Sequence, residues 1–252
     1  MEKNSVSLQL NGENFDIGVK HYGRFYLEFD KTLIYLEALG KCIYPNFQLD
    51  SKDKPLYRLL FGYFTEDVEF CHAKKIDLTK GILLYGSTGV GKTVILKLFT
   101  LFIANFRHKT DFYTMQSISV MGNEHGSQFL NHINFKRDLI LDDIGSESMS
   151  IHYGDRFESL KLIINKYEEI NFSLVIPDEL SAASSLSVNR ISSTRNNSGK
   201  TRKIYATTNL DANMLKDRYG ERVTSRFSDY FNVIPFVSQI DKRTANANII
   251  KL

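Results

Sequence analysis

The chain predicts an α/β protein, with a central parallel five-stranded sheet between helical layers and a small α+β region in front of it. Three observations carry this. From Lys80 onward, apolar runs of strand length alternate with stretches of helical spacing. The first run enters a glycine-rich loop that opens an almost wholly apolar helix. Before about residue 75 the texture differs: aromatic, punctuated by a tight-turn signal and free of chemical motifs.

Taken in order, Val6 to Leu10 alternates like a strand, and Asn11-Gly12 signals a tight turn before Phe15 to Val19, so a hairpin is expected. Leu33 to Leu39 reads as a helix stopped by Gly40. Pro55 to Phe64 reads as a short amphipathic helix. Gly81 to Tyr85 is a strand buried on both faces, and Thr93 to Phe106 is a buried helix. Asp111 to Met115, Leu139 to Leu141, Lys203 to Asn209 and Phe231 to Phe236 supply four more strands. Phe157, Leu160, Ile163, Ile164 and Tyr167 recur at helical spacing. Residues 1–75 form one expected region and residues 76–252 the other.

Composition narrows the function. Hydrophobic residues are 42% of the 252 and charged residues 24%, which excludes wholesale disorder and a membrane protein. Cys42 and Cys71 are too few for a disulfide scaffold or a four-thiolate zinc site. With no apolar leader at Met1 to Val6, a cytoplasmic protein is expected. The net charge of +3, from 32 basic against 29 acidic residues, does not itself argue for nucleic acid.

Gly86-Ser87-Thr88-Gly89-Val90-Gly91-Lys92-Thr93 matches G-x-x-x-x-G-K-[ST] in full. The glycines let successive N–H groups turn inward to cradle phosphates, and the following helix adds its positive end. Lys92 sets an ammonium against the β and γ phosphates of ATP, and the Thr93 hydroxyl suits Mg2+. A glycine turn joining any strand to any helix is the plainer alternative. The strand before the loop and the apolar helix after it favour the nucleotide site.

Leu139-Ile140-Leu141-Asp142-Asp143 fits the acidic strand end that accompanies such a loop. Asp142 would hold magnesium through water, and Asp143 would polarise the attacking water, with Glu147 a competing candidate. Many such hydrolases carry Glu at the second position, so the shorter Asp143 fits slow turnover or a nucleotide switch. Two solvated acids capping a strand are the alternative. Asn209, closing the Lys203 strand, can bond both the γ-phosphate and the water; otherwise it is a turn residue before Asp211, a fair helix N-cap.

After a helix stop at Gly220, Arg222 and Arg226 stand four apart on one helix face. They suit a charge presented to a neighbouring subunit's γ-phosphate, or a surface pairing with Asp217 or Glu221. The serine-rich stretch 178–202 reads as a long loop, and Arg190, Arg195, Lys200, Arg202 and Lys203 give it a basic end suited to DNA phosphates; a disordered insertion that keeps the protein soluble is the plainer alternative.

The run Lys80 to Gly86, with Leu141-Asp142-Asp143-Ile144-Gly145-Ser146-Glu147, Ala206-Thr207-Thr208-Asn209-Leu210 and Tyr219 to Phe227, resembles the AAA+ ATPases of the DnaC helicase-loader and IstB transposition-helper group. The resemblance spans roughly residues 80–236. It implies a three-layer P-loop NTPase of AAA+ type, here without the C-terminal helical lid of many relatives. It further implies ATP hydrolysis, a homo-oligomer when ATP is bound, and Arg226 as a finger acting in trans beside Arg222. The implied partners are a replicative helicase or a transposase, single-stranded DNA, and no membrane. A phosphate-loop kinase is a poorer fit, since the chain shows neither an acceptor site nor an arginine-rich lid.

Overall fold

The computed structural model describes residues 4–107, 109–175 and 202–237. Arg190, Arg195, Lys200 and most of the 178–202 loop lie outside the described residues.

The expected hairpin forms between β1 (Asn4–Leu10) and β2 (Glu13–His21), and β3 (Arg24–Leu27) extends it. Asn11 and Gly12 turn the chain with φ of 50° and 87°, the left-handed pair such a turn needs. Helix α1 (Phe29–Ile43) runs past Gly40, which is buried inside it and does not stop it. A Cβ at Gly40 would lie 2.1 Å from the Phe47 ring, so the glycine is there for packing and not for termination. Helix α2 (Lys54–Phe64) carries Pro55 in its first turn, where no intrahelical N–H is lost. Helix α3 (Val68–Ala73) is capped by Asp67, which accepts the Phe70 N–H at 3.1 Å.

Five parallel strands form the central sheet: β4 (Gly81–Tyr85), β5 (Thr110–Thr114), β6 (Asp138–Ile144), β9 (Ile204–Thr208) and β10 (Phe231–Pro235). Their spatial order is β10-β4-β9-β6-β5. The crossovers are α4 (Lys92–Ile103), α5 (Met115–His125), α6 (Ser159–Val175), and the pair α7 (Ala212–Tyr219) and α8 (Glu221–Tyr230). Gly220 separates the last two, as expected, and Asp211 caps α7 by accepting the Met214 N–H at 2.9 Å. A small hairpin, β7 (Ser150–His152) and β8 (Asp155–Phe157), precedes α6. Phe157 therefore belongs to β8 and not to the helix, although its spacing to Leu160 mimics a helical step.

The period of two along each strand sorts side chains between two cores. Ile82, Leu84, Ile140 and Tyr205 face one side; Leu83, Leu139, Leu141, Ile204 and Ala206 face the other. The first side is shared with the N-terminal elements: Phe64 stacks on Phe99 at 5.7 Å, and Tyr35 meets Phe102 at 6.0 Å. Tyr63 also donates its hydroxyl to the Lys80 carbonyl at 2.6 Å, just ahead of β4. Among the described residues no helix is long and apolar enough to cross a membrane.

Candidate nucleotide site

In a parallel sheet the carboxyl ends of all strands open on one side, and the candidate residues gather there. The loop from Gly86 leaves β4 and winds into α4, with Gly91 at φ 96° as the residue before the helix. Only a residue tolerant of that left-handed geometry lets Lys92 begin the helix. Gly86 lies against the chain just past β10: a Cβ there would stand 2.2 Å from the Phe236 carbonyl oxygen.

Lys92 is 6% exposed. Its Nζ donates to the carbonyls of Gly86 and Ser87 at 2.7 and 2.9 Å and to Asn209 Oδ1 at 2.8 Å. Those acceptors offset the cost of burying the charge. Asn209 in turn donates through Nδ2 to Asp143 Oδ1 at 2.5 Å. A second thread runs beside the first. Asp142 Oδ1 accepts the hydroxyls of Thr93 at 2.6 Å and Thr207 at 2.7 Å, and Thr207 Oγ1 accepts the Asp143 N–H at 2.8 Å.

The two aspartates stand where the β6–β9 register shifts, between Leu141 and Ile144. Such a bulge re-aims side chains that a regular strand would alternate. Asp143 accordingly adopts φ 63°, a left-handed value that Asp tolerates better than most residues. The donor set suits the expected groups. Thr93 and Asp142 place hard oxygens 2.6 Å apart, the sparse ligand set of a magnesium ion that keeps its waters. The ammonium of Lys92 and the N-terminus of α4 supply positive charge for phosphate.

Gly86 to Thr93, Asp142, Asp143 and Asn209 are thus brought together. Arg226 is not joined to them: its Nη1 lies 3.1 Å from Glu168 Oε2 and 3.4 Å from Asn165 Oδ1, both on α6, and Tyr230 donates to the other oxygen of Glu168. For Arg226 the alternative pairing with Asp217 or Glu221 gives way to Glu168, and Glu221 bonds Lys216 at 3.1 Å. Arg222 shares helix α8 with Arg226. Glu147, the competing acid, is buried in the turn after β6. Thr207 escaped the sequence reading as a site residue. Its signal was a hydroxyl in a strand otherwise fit for burial on both faces.

These features define an α/β fold of the phosphate-loop NTPase type, with the sheet order β10-β4-β9-β6-β5. Among solved structures, DnaI is similar, with a TM-score of 0.50 and 16% identity over 79% of this chain and 89% of that one. The DnaC helicase loader aligns with a TM-score of 0.48 and 15% identity, over 77% of this chain and 96% of that one. AMPPCP-bound DnaA from Aquifex aeolicus aligns with a TM-score of 0.46 and 15% identity, over 79% of this chain. The chain spans about half the length of that DnaA structure, 51% of it. No protein-family profile matches the chain, and no curated protein does.

Proposed function

We propose that the chain is a magnesium-dependent ATPase of AAA+ type that acts in DNA replication as a loader of a replicative helicase. The observation that carries the ATPase part is the bonded path Lys92–Asn209–Asp143, set beside Thr93–Asp142 at the carboxyl ends of β4, β6 and β9. Lys92 and the loop amides bind the β and γ phosphates. Thr93 and Asp142 hold the magnesium ion, which when bound polarises the γ-phosphate. Asp143 orients the attacking water, and Asn209 fixes Asp143 and reads the γ-phosphate. The short reach of Asp143 fits slow turnover in the lone chain.

Arg226 completes the site of a neighbouring copy in an ATP-bound oligomer, with Arg222 beside it. The loader role rests on the likeness of the Asp142-to-Glu147 and Tyr219-to-Phe227 motifs to the helicase-loader group. In this reading residues 1–75 meet the helicase, and the basic end of the 178–202 loop meets single-stranded DNA.

A mixing assay tests the shared site. Lys92→Ala should lose tight ATP binding in calorimetry, and Arg226→Ala should bind ATP yet fail to hydrolyse it. Mixed together, they should regain turnover, because an intact Arg226 meets an intact loop in the mixed pair. Unchanged ATP affinity in Lys92→Ala would overturn the nucleotide site, and absent rescue would overturn the trans arginine. Affinity capture from the host with ATP present separates the partners: a replicative helicase supports loading, and a transposase points to the IstB-like alternative.

A further inference from the structure

Glu147 is 4% exposed, yet it carries a carboxylate four residues beyond Asp143. Its Oε2 accepts the Gly145 N–H at 2.9 Å, and its Oε1 accepts the Tyr219 hydroxyl. Its backbone carbonyl accepts Arg218 Nη2 at 2.5 Å. Both carboxylate oxygens therefore serve protein donors.

The turn closed by these bonds is the one that displays Asp143. Asp143 stands at φ 63° and Gly145 at φ 96°, and the Ser146 N–H donates to the Asp143 carbonyl at 3.0 Å. Glycine takes such a φ freely, but a non-glycine residue such as Asp143 persists there when its neighbours hold it. On one side the turn presses on Leu210, next to Asn209; a Cβ at Gly145 would stand 2.3 Å from Leu210 Cδ1. On the other side stands Glu147. Tyr219 is the last residue of α7, and only Gly220 separates it from the helix that carries Arg226. Burial, and next the charge of Glu147, raise the pKa of the Tyr219 phenol, so it stays a hydroxyl donor across the neutral range.

We propose that Glu147 is a positioning residue that, together with Tyr219, holds Asp143 in its working conformation and ties that conformation to the α7–α8 junction. The proposal rests on the ATPase reading above. Glu147 is not the water-activating group, because a base must reach the water it deprotonates, and this carboxylate is enclosed and engaged on both oxygens. Instead it gives helix α8 a mechanical line to Asp143. When a neighbouring copy takes hold of Arg226, any shift of α8 reaches Tyr219, then Glu147, then the turn at Gly145.

The test compares Glu147→Gln, Glu147→Ala, Tyr219→Phe and Asp143→Asn by steady-state ATPase kinetics and by amide hydrogen exchange at Gly145 and Ser146. Glu147→Gln keeps an oxygen for the Gly145 N–H, so its kcat should stay within about tenfold of wild type. Glu147→Ala should lose about 10–100-fold in kcat, as outer-shell partners do, with little change in KM. Gly145 exchange should rise in Glu147→Ala and in Tyr219→Phe and stay near wild type in Glu147→Gln. A Glu147→Gln variant as inactive as Asp143→Asn would overturn the proposal and make Glu147 the acid itself. Full activity in Glu147→Ala would overturn it too. If the wild type hydrolyses no ATP, the ATPase reading falls; Gly145 protection unchanged in Tyr219→Phe then removes the relay as well. Should Glu147→Ala fail to fold, the Tyr219→Phe exchange measurement decides.

Discussion

The two faces of the central sheet are built from different materials. The face under α1, α2 and α4 is a mass of rings: Phe64 lies 5.3 Å from Tyr205 and 5.7 Å from Phe99, and Phe102 sits between Tyr35 and Phe106. The face under α5, α6, α7 and α8 has an apolar floor, but buried polar bonds thread it. Ser150 and Ser159 share a hydrogen bond of 2.9 Å, Ser119 donates to the Ser148 carbonyl at 2.9 Å, and Glu147 joins Gly145 to Tyr219. Apolar contact is non-directional and tolerates small slips. Hydrogen bonds have angles and lengths, so a moved partner moves its mate. The ring face thus supplies stability, and in the proposed relay the threaded face carries a displacement from α8 to the site.

The largest expected effect breaks the first half of this contrast. Phe99 is fully buried among rings, so Phe99→Ala should cost about 3–5 kcal/mol in denaturant unfolding. ATP affinity of the molecules that remain folded should be unchanged. A cost near 1 kcal/mol would mean the ring face is not the stabilising one. A smaller effect sharpens the second half. Ser150→Ala deprives Ser159 of a buried partner and should cost about 1–3 kcal/mol. Unlike Phe99→Ala, it should also alter turnover in the folded protein, because β7 follows the Asp143 turn; unchanged kcat would separate this hairpin from the site.

The smallest effect is one of pH. Burial raises the Glu158 carboxyl pKa, Arg218 opposes the shift, and Glu147 adds to it; one Glu158 oxygen is buried without a partner. A raised value means the fold binds this proton more tightly than the unfolded chain does. The contribution is full below the ordinary carboxylate range and is lost as pH rises through the raised value. Glu158→Gln removes that dependence, so its stability relative to wild type should improve as pH rises above the ordinary carboxylate range of about 4. A difference that stays constant in thermal melts across that rise would refute the assignment.

The strands and the phosphate loop were legible because their signals are local: an apolar run, fixed glycine offsets, a doubled acid at a strand end. What escaped depends on distant partners. Gly40 looked like a helix stop because nothing nearby reveals Phe47 folding over it. Phe157 kept a helical interval with Leu160 although the Tyr153-Gly154 turn, at φ 48° and 91°, commits it to a hairpin. The burial of Glu147 is not legible because its partner Tyr219 lies 72 residues on. Arg226 was weighed against its nearest acids in sequence, whereas Glu168 holds it from 58 residues away. Spacing finds groups that share a loop or a helix face; it cannot find groups brought together by a crossover.

Strand order also bears on how the chain is made. Strand β4 is made before the other strands of this sheet, yet its neighbours are β9 and β10, both made after β5 and β6. Leu83 waits for both Ala206 and Val233. Pairing over such separations closes long loops before any ladder bond compensates, which slows folding. The phosphate loop, synthesised early, therefore has no sheet to stand on until β9 and β10 arrive. Until then the proposed phosphate cradle is unformed, and the nascent chain has the ring-lined N-terminal elements and α4 for early order.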